Sequence, residues 1–425
     1  MFTEIRQCRI CGNFDLTSIL HLGNQVLTGV FPQRRDEVLT SGPLELVKCN
    51  SERNPDACGL VQLRHSYQPS ELYGQNYGYR SGLNQSMVRH LQGTARSISE
   101  MVSLRPGDLV LDIGSNDSTL LQGYPGRDLL LVGIDPTGAK FGQYYPSHIR
   151  LIPDFFSVQT IRDNLGTRKA KVVTSIAMLY DLEQPLDFVR QVCEVLADDG
   201  IWVFEQSYMP SMLEVNAYDT ICHEHLEYYG LKQIKWLTDR AGLKIVDVEL
   251  NAVNGGSFSV TVARHDAPYP ANSARVQAIL EAEERGGLDT LKPYEAFRGR
   301  VFAHAERLVA FLVSLKAGGG TILGYGASTK GNVILQFCRL TEEDIPFIAE
   351  VNQDKFGRYT PGTLIPIISE QEAHAMRPDY FLVLPWHFRD NLVVREKAYL
   401  ERGGGLVFPL PEIEIVRASN TTASA

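Results

Sequence analysis

Two clusters of side chains in this sequence are spaced for chemistry. The first is Cys8-Arg-Ile-Cys11, followed by Cys49 and Cys58. A Cys-x-x-Cys knuckle turns two thiolates toward one point, and a second pair further along the chain completes a tetrahedral zinc site. The other three of the seven cysteines, Cys193, Cys222 and Cys338, stand singly in apolar surroundings, which is not the pattern of a disulfide framework in a 425-residue chain. Cys8, Cys11, Cys49 and Cys58 are therefore the expected ligands of a structural zinc. The eight residues between Cys49 and Cys58 leave a redox pair or buried thiols as the alternative. The second cluster is Cys222-His223-Glu224-His225. A histidine beside a glutamate can be held in one tautomer and act as a general base near neutral pH. These histidines are two apart, not four apart as on a zinc-protease helix, so the segment reads as acid–base chemistry before metal binding. The bland alternative is a set of satisfied polar residues at a helix start.

Between and beyond these clusters lie two glycine turns. In Leu109-Val-Leu-Asp112-Ile-Gly114-Ser-Asn116-Asp117, an acid ends a strand, a glycine makes the turn, and a helix opens near Asp117. Asp135-Pro136 ends the next strand, twenty-one residues past Gly114. Glycine lets a ligand approach the backbone, and the later acid accepts ribose hydroxyls. One glycine does not make a pyrophosphate cradle, so S-adenosylmethionine, with ribose and adenine but no phosphates, fits better than a dinucleotide. Asp112 and Asn116 are expected at its amino-acid end, Asp135 at the ribose, and Asp154 and Phe155 beside the adenine, with Gly114, Asp117 and Pro136 completing the expected cofactor-binding set. An α/β turn without a ligand is the alternative. The second turn, Gly324-Tyr-Gly326-Ala-Ser328-Thr-Lys330-Gly331-Asn332, also follows a strand and opens a helix. Its amides and Lys330 are placed for a phosphate or diphosphate, with Asp354 and Lys355 just past the next strand. Its spacing misses the dinucleotide fingerprint, and a purely structural turn is an equal reading.

These groups need a frame, and the apolar pattern predicts an α/β one. Met87, Val88, Leu91, Ala95, Ile98 and Val102 recur at helical spacing and predict an amphipathic helix over 84–102. Leu109 to Ile113, Leu129 to Ile134, Lys171 to Ile176 and Gly200 to Glu205 read as strands separated by helix-length segments, the alternation of a parallel sheet. Lys244 to Val248 and Ser257 to Arg264, joined through Asn254-Gly255-Gly256, read as a hairpin closing that sheet. The stretch 271–316 predicts a helical bridge. Strands at Thr321 to Tyr325, Pro346 to Glu350, Tyr380 to Leu384 and Gly405 to Phe408 predict a second, shorter α/β unit. The expected division is a small zinc-binding module over 1–72, a Rossmann-like class I methyltransferase domain over 73–268, and the bridge with a Rossmann-like α/β domain over 269–425.

Taken together, the cysteine module, the Gly114 turn, the His-Glu-His segment and the Gly324 turn resemble the three-part nucleotide-sugar C-methyltransferases, over nearly the whole chain. Asn76-Tyr77-Gly78-Tyr79-Arg-Ser, the run from Gly357 through Arg358 to Pro366, and Pro385-Trp386-His387-Phe388 add to the resemblance. It implies that the first part binds zinc, the second S-adenosylmethionine, and the third a dTDP-linked sugar, with methylation at carbon 3 of a 4-keto deoxysugar. It implies further that His225 removes the carbon-3 proton, that Glu224 and His223 belong to the site, and that Tyr77 or Tyr79 lies near the sugar. Ser328, Lys330, Asn332, Asp354, Lys355, Arg358, Trp386 and His387 become the expected sugar-nucleotide residues. Cys222 stands where family members can have a tyrosine, Asp181 where some have a histidine, and Ser118 where glycine is common. Carbon 5, or another nucleotide sugar, is the alternative acceptor.

Composition narrows the field. The net charge of -9, without a block of Lys and Arg, argues against a nucleic-acid partner and hence against an RNA methyltransferase. No apolar run approaches the roughly 20 residues that span a bilayer, and Phe2-Thr-Glu-Ile-Arg6 does not read as a signal peptide. A cytoplasmic enzyme with a small-molecule substrate, as a monomer or small homo-oligomer, is expected. An NAD-dependent oxidoreductase built on the Gly324 turn and a non-catalytic scaffold are the remaining rivals.

Overall fold

The computed structural model describes residues 2–418 apart from 52, 53, 55, 73–78 and 127. Before residue 70 there are five strands: β1 (Phe2–Glu4), β2 (Leu16–Val26), β3 (Ser41–Cys49), β4 (Val61–Leu63) and β5 (His65–Tyr67). The second part contributes β6 (Leu109–Ile113), β7 (Leu130–Ile134), β8 (Ile149–Ile152), β9 (Ala170–Ile176), β10 (Leu196–Ser207), β11 (Glu227–Tyr228), β12 (Leu243–Asn251) and β13 (Ser257–Arg264). The last part contributes β14 (Ile322–Tyr325), β15 (Ile348–Glu350), β16 (Ile367–Ser369), β17 (Tyr380–Val383), β18 (Gly405–Phe408) and β19 (Glu414–Val416).

The central sheet runs β12-β13-β10-β9-β6-β7-β8, parallel except for β13, which is antiparallel to both neighbours. Leu109-Val-Leu-Asp-Ile is buried at every position, as a parallel strand covered on both faces must be. The helix Gln85–Met101 covers one face with Met87, Leu91, Ala95 and Ile98, and Asn84 caps it by accepting from the Ser86 amide at 2.9 Å. The third sheet runs β16-β15-β14-β17-β18-β19 and is parallel up to β19, which is antiparallel. The bridge consists of the helices Ser273–Arg285 and Lys292–Ala317.

Two features depart from a zinc ribbon set beside an enzyme. Strand β11, from the second part, adds antiparallel to β4, so the amino-terminal sheet runs β11-β4-β3-β2. That sheet is also wedged between the other two parts. Cys8, Ile10, Cys49, Cys58 and Leu60 belong to the core beneath the methyltransferase sheet. Ile19, Leu20, Leu22, Leu44 and Leu46 share a core with Tyr294, Phe297 and Val301 of the long helix and with β14 and β17. Strands β8, β11, β16 and β19 were not among the expected elements. Each has two to four residues and lies at a sheet edge, too short for an alternating pattern to register.

Candidate active site and zinc centre

The four cysteines come together. Cys8 Sγ lies 3.5 Å from Cys58 Sγ, Cys11 Sγ lies 3.5 Å from Cys49 Sγ, and all four sulfurs are within 4.8 Å of one another. Tetrahedral Zn–S bonds of about 2.3 Å require sulfurs roughly 3.8 Å apart, so the cluster fits a closed zinc site. The knuckle is shaped by its own backbone: the Gly12 amide donates to the Cys8 carbonyl at 2.9 Å, with Gly12 at φ +73°. Asn13 Nδ2 and the Leu60 amide donate to Cys49 Sγ and Cys58 Sγ, each at 3.4 Å, the donors a thiolate needs.

The turn after β6 places Gly114 at φ +74°, where a Cβ would stand 3.3 Å from Met178. Asp112 is buried, accepts from Thr174 Oγ1 at 2.6 Å, and is pushed up to about 7 by desolvation. Asp135 Oδ2 accepts from the Asn116 amide at 2.7 Å, and Oδ1 from the Thr137 amide and hydroxyl at 2.7 and 2.5 Å. A carboxylate has about four lone-pair positions, so these three bonds still leave Asp135 capacity for a ribose hydroxyl. Pro136 is half-buried behind it, while Asp154 and Phe155 stand exposed beyond β8. Asn116 and Asp117 face elsewhere than the sequence suggested. Asn116 Oδ1 accepts from the Ser81 amide at 3.0 Å and its Nδ2 donates to the Tyr79 carbonyl at 3.3 Å; Asp117 Oδ2 accepts from the Gly82 amide at 2.8 Å. Both therefore tie segment 79–82 over the turn. Tyr79 is 47% exposed at this rim, and Tyr77 lies outside the described residues.

His225 sits in a tight loop whose shape is set by carbonyls. Its own amide donates to the Cys222 carbonyl at 3.1 Å, and the following Leu226 amide donates to the Tyr180 carbonyl at 2.8 Å. Its Nδ1 lies 2.8 Å from the Thr220 carbonyl, and its ring packs on Tyr180 with centroids 4.3 Å apart. A carbonyl only accepts, so Nδ1 carries the proton and Nε2 of the neutral ring carries the lone pair of a base. Burial, with the charge of Lys330, pulls the imidazole down to about 3. Glu224 is buried, and burial raises its carboxyl. His223 does not join them. It is fully buried against Tyr67, with centroids 4.6 Å apart, and faces the amino-terminal sheet.

The third part closes over this loop. Lys330 Nζ donates to the Asn254 carbonyl at 3.3 Å, and Trp386 Nε1 donates to Asp219 Oδ2 at 2.8 Å. His387 is beside them, held well below its ordinary range by burial and by Lys330. The other expected sugar-nucleotide residues are engaged in the fold, most of them across the parts. Ser328 caps its own helix through the Gly331 amide at 3.0 Å, and Asn332 Nδ2 donates to the Thr28 carbonyl at 2.7 Å. Lys355 Nζ donates to the Ala327 carbonyl at 2.7 Å, and Arg358 Nη1 to the Phe31 carbonyl at 3.2 Å. Asp354 pairs with Lys140 of the methyltransferase part at 3.7 Å.

Several participants carried no sequence signal, because carbonyls and close approaches leave none: Thr220, Asn254, and Gly29 of the amino-terminal part. A Cβ on Gly29 would lie 2.2 Å from Glu224 Oε1 and 3.6 Å from Thr329 Oγ1. The clash falls on a side-chain tip, so Gly29→Ala is expected to displace the carboxylate while costing the fold less than the ~1–3 kcal/mol of true overpacking. We expect turnover to fall by about 10²-fold or more, the scale of a lost general-acid/base partner, with melting temperature and cofactor affinity nearly unchanged. Unaltered turnover would remove Glu224 from the site. A second missed group is His90 Nε2, 2.6 Å from buried Glu205, whose other oxygen accepts from Asn251 at 2.8 Å.

A closed four-cysteine centre and a nucleoside-type turn on a methyltransferase sheet, with a third domain over the His225 loop, define a zinc-bearing methyltransferase. Comparison with known proteins agrees. A zinc binding domain model matches residues 8–73, a methyltransferase domain model residues 87–248, and a C-methyltransferase C-terminal domain model residues 252–411. The C-methyltransferase NovU of Streptomyces niveus is 31% identical over 424 residues, 98% of each chain. The chain belongs to the C-methyltransferase family, whose methyl donor is S-adenosylmethionine. Solved structures with partial similarity include the plantazolicin methyltransferase BpumL in complex with SAH, 10% identical over 43% of this chain and 87% of that one, with a TM-score of 0.35. Another is an S-adenosylmethionine-dependent methyltransferase from Clostridium acetobutylicum, 12% identical over 42% of this chain and 92% of that one, with a TM-score of 0.32. Among the described residues, no helix is long and apolar enough to cross a membrane.

Proposed function

We propose that this C-methyltransferase acts on a nucleotide-linked 4-keto deoxysugar, at carbon 3 of a dTDP-sugar, with His225 as the base. The observation that carries the reading is the tautomer of His225: its Nδ1–H is committed to the Thr220 carbonyl, which leaves Nε2 to take a proton. A sugar C–H bond gives up its proton far more readily next to a carbonyl, whose oxygen takes the charge, and a keto sugar has that carbon. S-adenosylmethionine supplies an electrophilic methyl group, and Asp112, the Gly114 turn and Asp135 are the residues that would hold it. Around the base, Tyr180 fixes the ring plane, Glu224 lines the loop, and Trp386 and Lys330 close the third part over it and keep water out. The negative net charge suits a small-molecule partner and no nucleic acid.

The test is incubation with S-adenosylmethionine and a panel of nucleotide-linked 4-keto sugars in heavy water, followed by mass spectrometry. One added methyl on a dTDP-4-keto sugar is expected, and its position is read by NMR. Methylation at carbon 5, or of a sugar on another nucleotide, would redirect the acceptor. No methylation and no deuterium uptake with any keto sugar would overturn the reading.

A further inference from the structure

We infer that Lys330 is an electrophilic catalytic residue, whose ammonium receives the oxygen that becomes negative when His225 takes the substrate proton. The inference rests on the keto-substrate reading above, and it takes Lys330 away from the phosphate that the glycine turn suggests.

Position is the first argument. Lys330 stands in the first turn of the helix Thr329–Phe337, but its ammonium crosses into the junction with the methyltransferase sheet and donates to the Asn254 carbonyl at 3.3 Å. Asn254 lies in the turn between β12 and β13, at φ +55°. The next residue, Gly255, packs against Trp386, whose Nε1 donates to Asp219 at 2.8 Å, and the Thr220 carbonyl that follows Asp219 holds His225 Nδ1 at 2.8 Å, so the ammonium and the imidazole meet the same short segment. The phosphate-cradle reading needs free groups around the turn, and those are taken. Ser328 caps the helix, and Lys355 is bound to the Ala327 carbonyl and lies over the Phe31 ring, 4.4 Å from its centroid.

Satisfaction is the second argument. An ammonium has three donors. Among the described residues, this one makes a single hydrogen bond, a long one, to a neutral acceptor. Asp219 is the acid that offsets its charge, and one oxygen of Asp219 already accepts from Trp386 at 2.8 Å. A buried cation with unused donors, packed on the segment that holds His225, is arranged for an anion that exists only during reaction.

The chemistry balances without any group the proposal does not name. The C–H electron pair becomes the carbon–carbon π bond, the carbonyl π pair moves onto oxygen, and the proton goes to His225 Nε2. Lys330 meets the oxygen. This step alone is reversible, so in heavy water it exchanges the substrate proton for deuterium before any methyl transfer.

The experiment uses the full-length, zinc-loaded protein with S-adenosylhomocysteine in heavy water, and the keto sugar that the wild type methylates. Lys330→Met is expected to slow deuterium uptake at saturating sugar by about 10²-fold or more, the scale of a lost oxyanion donor. Its sugar affinity, measured by calorimetry, should change by less than about threefold. Uptake at the wild-type rate with sugar bound at least ~10-fold more weakly would make Lys330 a phosphate ligand and overturn the inference. Lys330→Gln, which keeps a neutral donor, should lie between the two if folding of the Met variant fails by thermal melting; a Gln variant with wild-type uptake overturns the inference equally. Exchange by the wild type separates this test from the broader one. If the wild type neither exchanges nor methylates any keto sugar, the proposed function falls; if it does and the Lys330 variants match it, only Lys330's role falls.

Discussion

His225→Asn is expected to abolish both methyl transfer and deuterium uptake, lowering turnover by about 10²–10⁴-fold, the usual contribution of a positioned base. Asparagine keeps the donor to the Thr220 carbonyl and the size of the loop, so S-adenosylhomocysteine affinity and melting temperature should stay near wild type. The variant therefore separates chemistry from folding. Turnover within about tenfold of wild type would assign the base elsewhere. The pH profile follows from the same site. Burial and the Lys330 charge hold His225 down to about 3, so its basic form persists well below the ordinary histidine range of about 6.5. The acid limb of kcat/KM should thus lie below pH 6, with no inflection near 6.5 from this group. The stability effect has the opposite consequence. Between roughly pH 6.5 and 3 the unfolded chain binds protons that the folded His225 and His223 refuse, so stability present at neutral pH is lost as pH falls through that window. A base this weak removes a carbon proton only if the carbonyl is strongly polarised, which is the part argued for Lys330.

The chemistry of this chain was legible where it depends on side-chain types at fixed spacing. Cys8, Cys11, Cys49 and Cys58, whose sulfurs the fold brings within 4.8 Å of one another, emerged from their spacing in sequence. The parallel strands were legible too, because burial on both faces writes a continuous apolar run such as Leu109-Val-Leu-Asp-Ile. What stayed hidden depends on long-range contact. His223 and His225 look equivalent in sequence, yet a reversal of side-chain direction sends His223 against Tyr67 and His225 against Tyr180. Asn116 and Asp117 stand among the expected cofactor residues because they follow the Gly114 turn; their side chains hold residues 79–82, which no local pattern announces. The same holds for Arg358 and Asn332. The family resemblance makes them expected sugar-nucleotide residues, and their partners are the carbonyls of Phe31 and Thr28, some three hundred residues away.

Loss of the zinc is expected to disable the base as well as the module that holds the metal. Residues 226–228, directly after His225, are an edge of the amino-terminal sheet. β11 pairs with β4, and the Leu63 amide donates to the Leu226 carbonyl at 2.8 Å. Arg9, inside the Cys8–Cys11 knuckle, donates to the Leu63 carbonyl at 2.6 Å and to Ser66 Oγ at 2.7 Å, and its Nε lies 3.7 Å from Glu227. From the other side, Gln233 Nε2 donates to the Cys58 carbonyl at 2.8 Å. Without the metal, four thiols crowd at distances suited to thiolates on zinc, and the knuckle that positions Arg9 opens. Structural zinc in small modules binds with an apparent ~10–16 kcal/mol, as much as a typical domain's whole stability of about 5–15 kcal/mol. Cys49→Ser, or chelation under mild denaturant, should therefore reduce turnover by about 10³-fold or more, as removal of a catalytic base does. Hydrogen exchange would locate the damage: amides of 45–49, 60–63 and 220–228 should lose protection together, while β17 and β18 keep theirs. A zinc-free protein with wild-type turnover and a protected 220–228 segment would show that the metal supports neither the sheet nor the base.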